Sequence, residues 1–175
     1  EVVKVEPLGG DPIRLSQNSF TDEPHEKTAN ALFLHLNAGK KSITLDLNST
    51  KGKGVFLKLV KEFDVIVETF QPNYMDKIGL EHNELTRVNP SLIQTSVTPF
   101  GQTGPYKNFE YTELTVFATT GAMHREGLPG KYPLKYGGEI AQYFAGSSAA
   151  SATISSLYSR LFNGDGNWID ISIQE

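Results

Sequence analysis

The sequence predicts an α/β fold with a mostly parallel sheet and flanking helices. Three observations carry that expectation. A strand pattern at Ile43–Leu47 is followed by an amphipathic helix pattern and then by the short apolar run Asp64–Glu68, the order of a βαβ unit. The stretch from Ser91 to Tyr106 reads S-L-I-Q-T-S-V-T-P-F-G-Q-T-G-P-Y, a buried strand over Leu92–Val97 stopped by Pro99, Gly101, Gly104 and Pro105. The 175 residues are 38% hydrophobic and 21% charged, the balance of a globular chain long enough to bury one core.

The chain opens on β-branched residues, so Val2–Glu6 is expected as a strand. Pro7 to Pro24 is polar and broken by Gly9, Gly10 and Pro12, which predicts a long loop. Within it Arg14, Asp22 and Glu23 read as solvated surface. Ala29, Leu32, Phe33 and Leu36 fall at helical spacing, which predicts a short helix over His25–Leu36.

Asn37 to Ser42 is a polar turn, and I-T-L-D-L at Ile43–Leu47 alternates as a strand. Asn48, Ser49 or Thr50 can cap the next helix, whose apolar face is Val55, Phe56, Leu59, Val60 and Phe63. Gly52 and Gly54 weaken its first turns. Asp64–Glu68 is a short strand, Tyr74–Leu80 a short helix broken at Gly79, and Glu81–Val88 a second helix ended by Asn89-Pro90.

The strand at Leu92–Val97 completes a βαβαβ order. A helix follows over Thr112–Thr120, then a glycine- and proline-rich loop over Met123–Gly138. Glu139–Phe162 is the longest helix and is rich in alanine, glycine and serine, a surface that lets another backbone approach closely. N-G-D-G at Asn163–Gly166 marks a turn, and Trp168–Ile173 alternates as the last strand.

Composition narrows the function classes. A net charge of −4 leaves no electrostatic footprint for nucleic acid. No apolar run approaches membrane-spanning length. The absence of cysteine excludes disulfides, thiolate metal sites and a thiol nucleophile. His25, His35, His82 and His124 show no metal-ligand spacing, so no metal is expected. There is no G-x-G-x-x-G and no Walker loop. Ser147 and Ser148 sit inside a helix pattern, not on a nucleophile elbow. Asp46, Asp64 and Asp170 lie in or beside strand patterns, with Asp170 read as outward, and form no evident carboxylate pair.

What remains is a cluster of loops. If the strands are parallel, Leu47-Asn48-Ser49, Thr69–Asn73 and Thr98–Gly101 share one sheet edge, where open α/β folds bind ligands. Phe70 and Phe100 offer aromatic faces for a flat heterocycle, and Lys40, Lys41 and Lys77 can meet phosphates. Each residue alone has an ordinary structural explanation, and the clustering is what raises the functional reading.

With these segments placed, the chain resembles the class III CoA-transferases, the family of formyl-CoA transferase, carnitine CoA-transferase and α-methylacyl-CoA racemase. The resemblance runs along nearly the whole chain. Its carriers are Val2–Arg14 (V-V-K-V-E-P-L-G-G-D-P-I-R), Asn37–Leu47 (N-A-G-K-K-S-I-T-L-D-L) and Asp64–Pro72 (D-V-I-V-E-T-F-Q-P). Asn89–Ile93, Phe100–Tyr106 (F-G-Q-T-G-P-Y) and Gly164–Glu175 (G-D-G-N-W-I-D-I-S-I-Q-E) complete them in order.

The resemblance implies a Rossmann-like large domain, here incomplete over residues 1–175, with the family's small domain absent. It implies coenzyme A or an acyl-CoA as substrate or ligand and no metal. By match, Asn37, Lys40, Ser42, Leu47, Asn48, Ser49, Phe70, Gln71, Pro72, Asn73 and Lys77 would hold the adenosine and phosphate end. Phe100, Gly101, Gly137 and Gly138 would lie nearer the thioester. A homodimer, a cytoplasmic setting, and no nucleic-acid or membrane partner are expected with it.

One departure bears on the chemistry. Complete members transfer CoA between carboxylic acids, starting with attack of an aspartate on the acyl-CoA thioester. The resemblance places that aspartate at residue 142, where this sequence has Gln142. An amide is not a nucleophilic carboxylate and cannot start that transfer. Two alternatives stand beside transfer: acid/base chemistry on an acyl-CoA α-carbon by a racemase- or lyase-like enzyme, and a non-catalytic CoA-binding subunit.

Overall fold

The computed structural model describes residues 1–15 and 30–175. They form two compact units, Glu1–Phe56 and Leu57–Glu175. The first part of the expected loop ends at residue 15; its remainder, and residues 25–29 of the expected helix, lie outside the described residues.

In the first unit β1 (Val3–Glu6) and β2 (Lys41–Thr44) pair in parallel, Val3 opposite Lys41 and Glu6 opposite Thr44. A 3-10 turn at Pro12–Leu15 folds back toward β1. Its anchor is Glu6, a residue only 3% exposed. The Glu6 carboxylate accepts from Arg14 Nε and Nη2 at 2.8 Å, from Ser42 Oγ at 2.7 Å and from the Asp11 amide at 2.9 Å. Arg14 in turn lies 3.9 Å above the Phe33 ring, a cation–π contact. Arg14 is therefore an organiser of this unit as well as a partly exposed side chain.

The short helix α1 (Ala31–Leu36) starts where Asn30 Oδ1 accepts from the Phe33 amide at 3.1 Å. Of the three capping candidates for α2 (Thr50–Glu62), Ser49 is the one that caps: its Oγ accepts from the Gly52 amide at 3.0 Å and donates to the Asp46 carbonyl at 2.9 Å. This turn also explains Gly52. A Cβ there would sit 1.9 Å from the Asp46 carbonyl oxygen, so the glycine is a requirement of the tight entry into the helix. The strand expected at Ile43–Leu47 runs from Lys41 to Thr44 instead, because pairing with β1 fixes its start and the Asp46 turn its end.

The second unit holds a three-stranded sheet in the order β3 (Val65–Glu68), β4 (Ile93–Thr98), β5 (Asn167–Ser172), parallel throughout. The expectation that the Ile43 strand shares this sheet with the Val65 and Leu92 strands is corrected: β2 pairs with β1, while β3 pairs with β4. Alternation along a strand fixes its faces but not its partner.

Helices cover both faces. α6 (Ile140–Asn163) lies on one, where Thr95 Oγ1 and Thr153 Oγ1 meet at 2.7 Å. On the other, α4 (His82–Val88) brings His82 Nδ1 to 2.9 Å from Gln94 Oε1. Val60, Leu80, Leu85, Leu92, Ile93 and Val116 are almost wholly buried and form the core. The close approach of α6 uses its small residues, with Ala145 and Ala149 buried. Gly164, at φ 77°, ends the helix in the left-handed conformation. Gly166 then passes so close that a Cβ would lie 2.2 Å from the Leu92 carbonyl oxygen.

Two short helices, α3 (Tyr74–Lys77) and α5 (Glu113–Thr119), complete the unit. α3 stops one turn early because Gly79 turns left-handed at φ 70°, the break the glycine predicts. The glycine-rich loop after α5 carries one 3-10 turn at Ala122–Arg125.

Candidate functional site

The carboxyl ends of β3, β4 and β5 open into a crevice of roughly 630 Å3 within the second unit. That volume suits a small-molecule site. Val67, Val97 and Ile173 form its floor at the strand ends, and α6 forms one wall. Gly146 and Ala150 of that wall leave room that larger side chains would fill. The loop Thr69–Pro72 and the segment Lys107–Tyr111 form the rim, with Pro99 between.

The sequence-predicted residues divide. Phe70, Gln71, Pro72 and Gln142 line this one crevice. The Phe70 ring lies 4.6 Å from that of Tyr74. Asn73 takes a left-handed φ of 65° just before α3, which carries Lys77. Phe100 and Gly101 are not among the lining residues; Phe100 instead packs edge-on against Phe109, a rim residue, at 6.4 Å. Gly137 and Gly138 also lie outside the lining, where the Gly138 carbonyl accepts from Lys135 Nζ at 2.9 Å.

Asn37, Lys40, Ser42, Leu47, Asn48 and Ser49 belong to the first unit. There the Ser42 hydroxyl donates to Glu6, Ser49 caps α2, and Lys40 Nζ donates to Asn37 Oδ1 at 3.1 Å.

Gln142 sits in the first turn of α6, exposed, with Nε2 donating to Glu139 Oε2 at 2.7 Å. Beside it is a residue that sequence reasoning missed. Glu113, 7% exposed at the start of α5, accepts from the Ala141 amide through Oε1 at 2.6 Å, capping the long helix from outside it. Its Oε2 is buried with no partner among the described residues. The local sequence shows only an acidic residue after a Thr112 cap; nothing in it names the distant amide as partner. Burial, with Glu139 and Glu113 nearby, pushes the Tyr111 hydroxyl above its ordinary pKa at the rim.

Glu68 was missed as well. Burial pushes its carboxyl upward, while the Ser96 hydroxyl and the Phe70 amide act to lower it and Asp170 to raise it further. Among the described residues no group of three or more His, Asp or Glu converges to hold a metal ion. Nor is any helix there long and apolar enough to cross a membrane.

The profile of CoA-transferase family III matches residues 1–175. The chain is 35% identical over 175 residues to the succinyl-CoA:(R)-benzylsuccinate CoA-transferase subunit BbsE of Thauera aromatica, spanning 100% of this chain and 42% of that protein. It is 35% identical to the succinate–glutarate CoA-transferase of Agrobacterium fabrum, spanning 99% of this chain and 44% of that one. Among solved structures, a CAIB/BAIF family protein from Brucella suis superposes with a TM-score of 0.90 at 35% identity, over 99% of this chain and 46% of its own. Rv3272 from Mycobacterium tuberculosis gives 0.86 at 30% identity, over 99% and 48%. The chain thus spans less than half the length of these relatives.

Proposed function

Because the chain belongs to CoA-transferase family III, we propose that it supplies the part of such an enzyme that holds CoA or an acyl-CoA, at the crevice above β3, β4 and β5. The observation that carries this reading is the meeting of Phe70, Gln71, Pro72 and Gln142 on one crevice at the carboxyl edge of a parallel sheet. Phe70 offers a ring face to a flat heterocycle, and Lys107 at the rim offers a charge to a phosphate. The apolar floor suits an acyl chain.

Residue 142 decides the fate of the bound thioester. Covalent transfer needs a carboxylate oxygen to attack the thioester carbonyl, forming a C–O bond as the C–S bond breaks and the thiolate leaves. The Gln142 nitrogen lone pair is delocalised and its oxygen is a weak nucleophile. One amide hydrogen engages Glu139, and the other can donate to the thioester carbonyl. Gln142 thus holds the acyl group in place without accepting it.

A second reading is a non-catalytic subunit that pairs with a chain carrying the carboxylate. Two observations favour it: the amide at residue 142, and the fact that relatives at 35% and 34% identity are themselves named as subunits. Association with a second copy fits either reading, since Phe144, Leu161 and Phe162 of α6 present apolar side chains at the surface. So does a cytoplasmic setting, where acyl-CoA is the available partner.

Calorimetric titration with CoA and with an acyl-CoA tests the proposal. Both ligands are expected to bind, and Gln142→Ala should weaken the acyl-CoA about five-fold while leaving CoA within two-fold, a difference of roughly 1 kcal/mol for one lost hydrogen bond. No heat with either ligand would remove the crevice as their site.

A further inference from the structure

One row of the larger sheet joins three polar residues across its strands. Glu68 of β3 is in register with Ser96 of β4, and Ser96 with Asp170 of β5. Alternation places all three on the face away from α6, since Thr95, the neighbour of Ser96, meets Thr153 of that helix. They therefore lie on the opposite side of the sheet from the crevice wall. Ser96 is fully buried and Glu68 nearly so.

Each carboxylate of the row holds a backbone amide of a different loop. Glu68 Oε2 accepts from the Phe70 amide at 2.8 Å, and Phe70 lines the crevice. Asp170 Oδ2 accepts from the Gln102 amide at 2.8 Å. The Gln102 loop also carries Phe100, whose ring packs on the rim residue Phe109. Gly101, just before Gln102, holds the left-handed φ of 79° that this loop takes and that glycine adopts without strain.

The direction of the bonds around Ser96 is fixed by chemistry. Trp168 Nε1 lies 2.9 Å from Ser96 Oγ, and an indole nitrogen can only donate. Ser96 Oγ therefore accepts there, and its own hydrogen is free for Glu68, with which it interacts. The result is a directed chain from Trp168 through Ser96 to Glu68, whose remaining acceptor capacity holds Phe70. His82 stacks on the Trp168 ring at 5.3 Å, so the head of the chain is itself packed.

We propose that Glu68 and Asp170 are positioning residues for the two loops that flank the crevice, each holding its own loop independently from the far face of the sheet. Neither carboxylate touches the crevice. Their effect on a ligand passes through the Phe70 and Gln102 amides. The ligand arm of the proposal rests on the reading of the crevice as a CoA site, whereas the anchoring arm does not.

The test is residue-resolved amide exchange on the full chain, with CoA titration beside it, for Glu68→Leu, Glu68→Gln and Asp170→Ala. Glu68→Leu should speed exchange at Phe70 at least ten-fold and leave Gln102 within two-fold. Glu68→Gln, which keeps an acceptor oxygen, should restore Phe70 to within three-fold of the parent. Asp170→Ala, at an exposed position, should do the reverse: faster exchange at Gln102, Phe70 unchanged. In the CoA titration Glu68→Leu should raise Kd at least five-fold and Glu68→Gln less than two-fold. Equal loosening of both amides by Asp170→Ala, or Glu68→Gln behaving as Glu68→Leu does, overturns independent anchoring. A parent chain that does not bind CoA removes the functional reading instead, while the exchange data still decide the anchoring.

Discussion

The two units solve the same problem, a small parallel sheet, with different physics. Of the thirteen buried apolar side chains among the described residues, two, Phe33 and Phe56, lie in the first unit and the remainder in the second. The first unit is organised around one buried carboxylate, Glu6, which gathers a guanidinium, a hydroxyl and an amide. The second buries Leu80, Leu85, Leu92 and Ile93 between a sheet and helices on both faces, and most of its buried polar groups, Glu68, Gln94, Thr95, Ser96 and Thr98, lie on β3 and β4. Apolar burial is non-directional and changes little with pH. A charge network is directional, and its balance between desolvation and pairing makes it easy to break by removing one member. The first unit should therefore respond to charge and pH, and the second to volume.

The largest expected effect lies in the second unit. Leu85→Ala empties a fully buried position between α4 and the sheet. It should cost about 3 kcal/mol in urea unfolding followed by tryptophan fluorescence, within the range of such truncations. Trp168 is the single tryptophan and reports on β5 of this unit. A loss under about 1 kcal/mol would show that the site collapses or that this helix contributes little to the core.

Next comes the first unit. Glu6→Leu removes the acceptor shared by Arg14, Ser42 and the Asp11 amide. It should cost about 2 kcal/mol. The loss should appear as faster amide exchange in β1, β2 and the 3-10 turn, with β4 and β5 unaffected. Slower exchange in β1, as in a buried ion pair that apolar packing can replace, would invert the comparison.

A smaller and graded effect is expected from pH. The Arg14 guanidinium, with help from Ser42 and the Asp11 amide, holds the Glu6 carboxyl at about 2 against a burial cost that pushes the other way, from an ordinary value of 4.5. A carboxyl held low in the folded state stabilises fully above its unfolded pKa and loses that contribution as pH falls through its folded one. Exchange protection of β1 should therefore hold steady above pH 4.5 and decline from there toward pH 2. Its decline should be absent in Glu6→Gln. A decline that begins near neutral pH would assign the acid sensitivity to other groups.

The same contrast explains what could be read from the sequence. Strands and helices are local: the strand expected at Asp64–Glu68 forms at Val65–Glu68, and most other ends fall within one or two residues of expectation. Sheet partition is not local. Ile43 alternates as well as Val65 does, yet β2 finds β1 and β3 finds β4. That Phe70, Gln71 and Pro72 line the crevice was legible because a loop after a parallel strand emerges at the carboxyl edge of the sheet. Gln142 met them in the crevice through the placement of α6. Glu113 and Asp170 were not legible, because each acts on an amide 28 or 68 residues away, and a carboxylate in a sequence carries no mark of the backbone it will reach. Asp170, read as outward from alternation alone, is indeed exposed and still holds a loop.

In the proposed function, residue 142 stands where an acyl group is presented, and an amide there holds it without accepting it. Intact-mass spectrometry of the chain and of Gln142→Asp, after incubation with an acyl-CoA and then hydroxylamine, tests this most directly. The parent should keep its mass. The Asp variant should gain an acyl adduct that hydroxylamine converts to a hydroxamate at residue 142. A covalent mark on Gln142 in the parent, or an Asp variant that stays unmodified while binding the acyl-CoA, would contradict the proposed role.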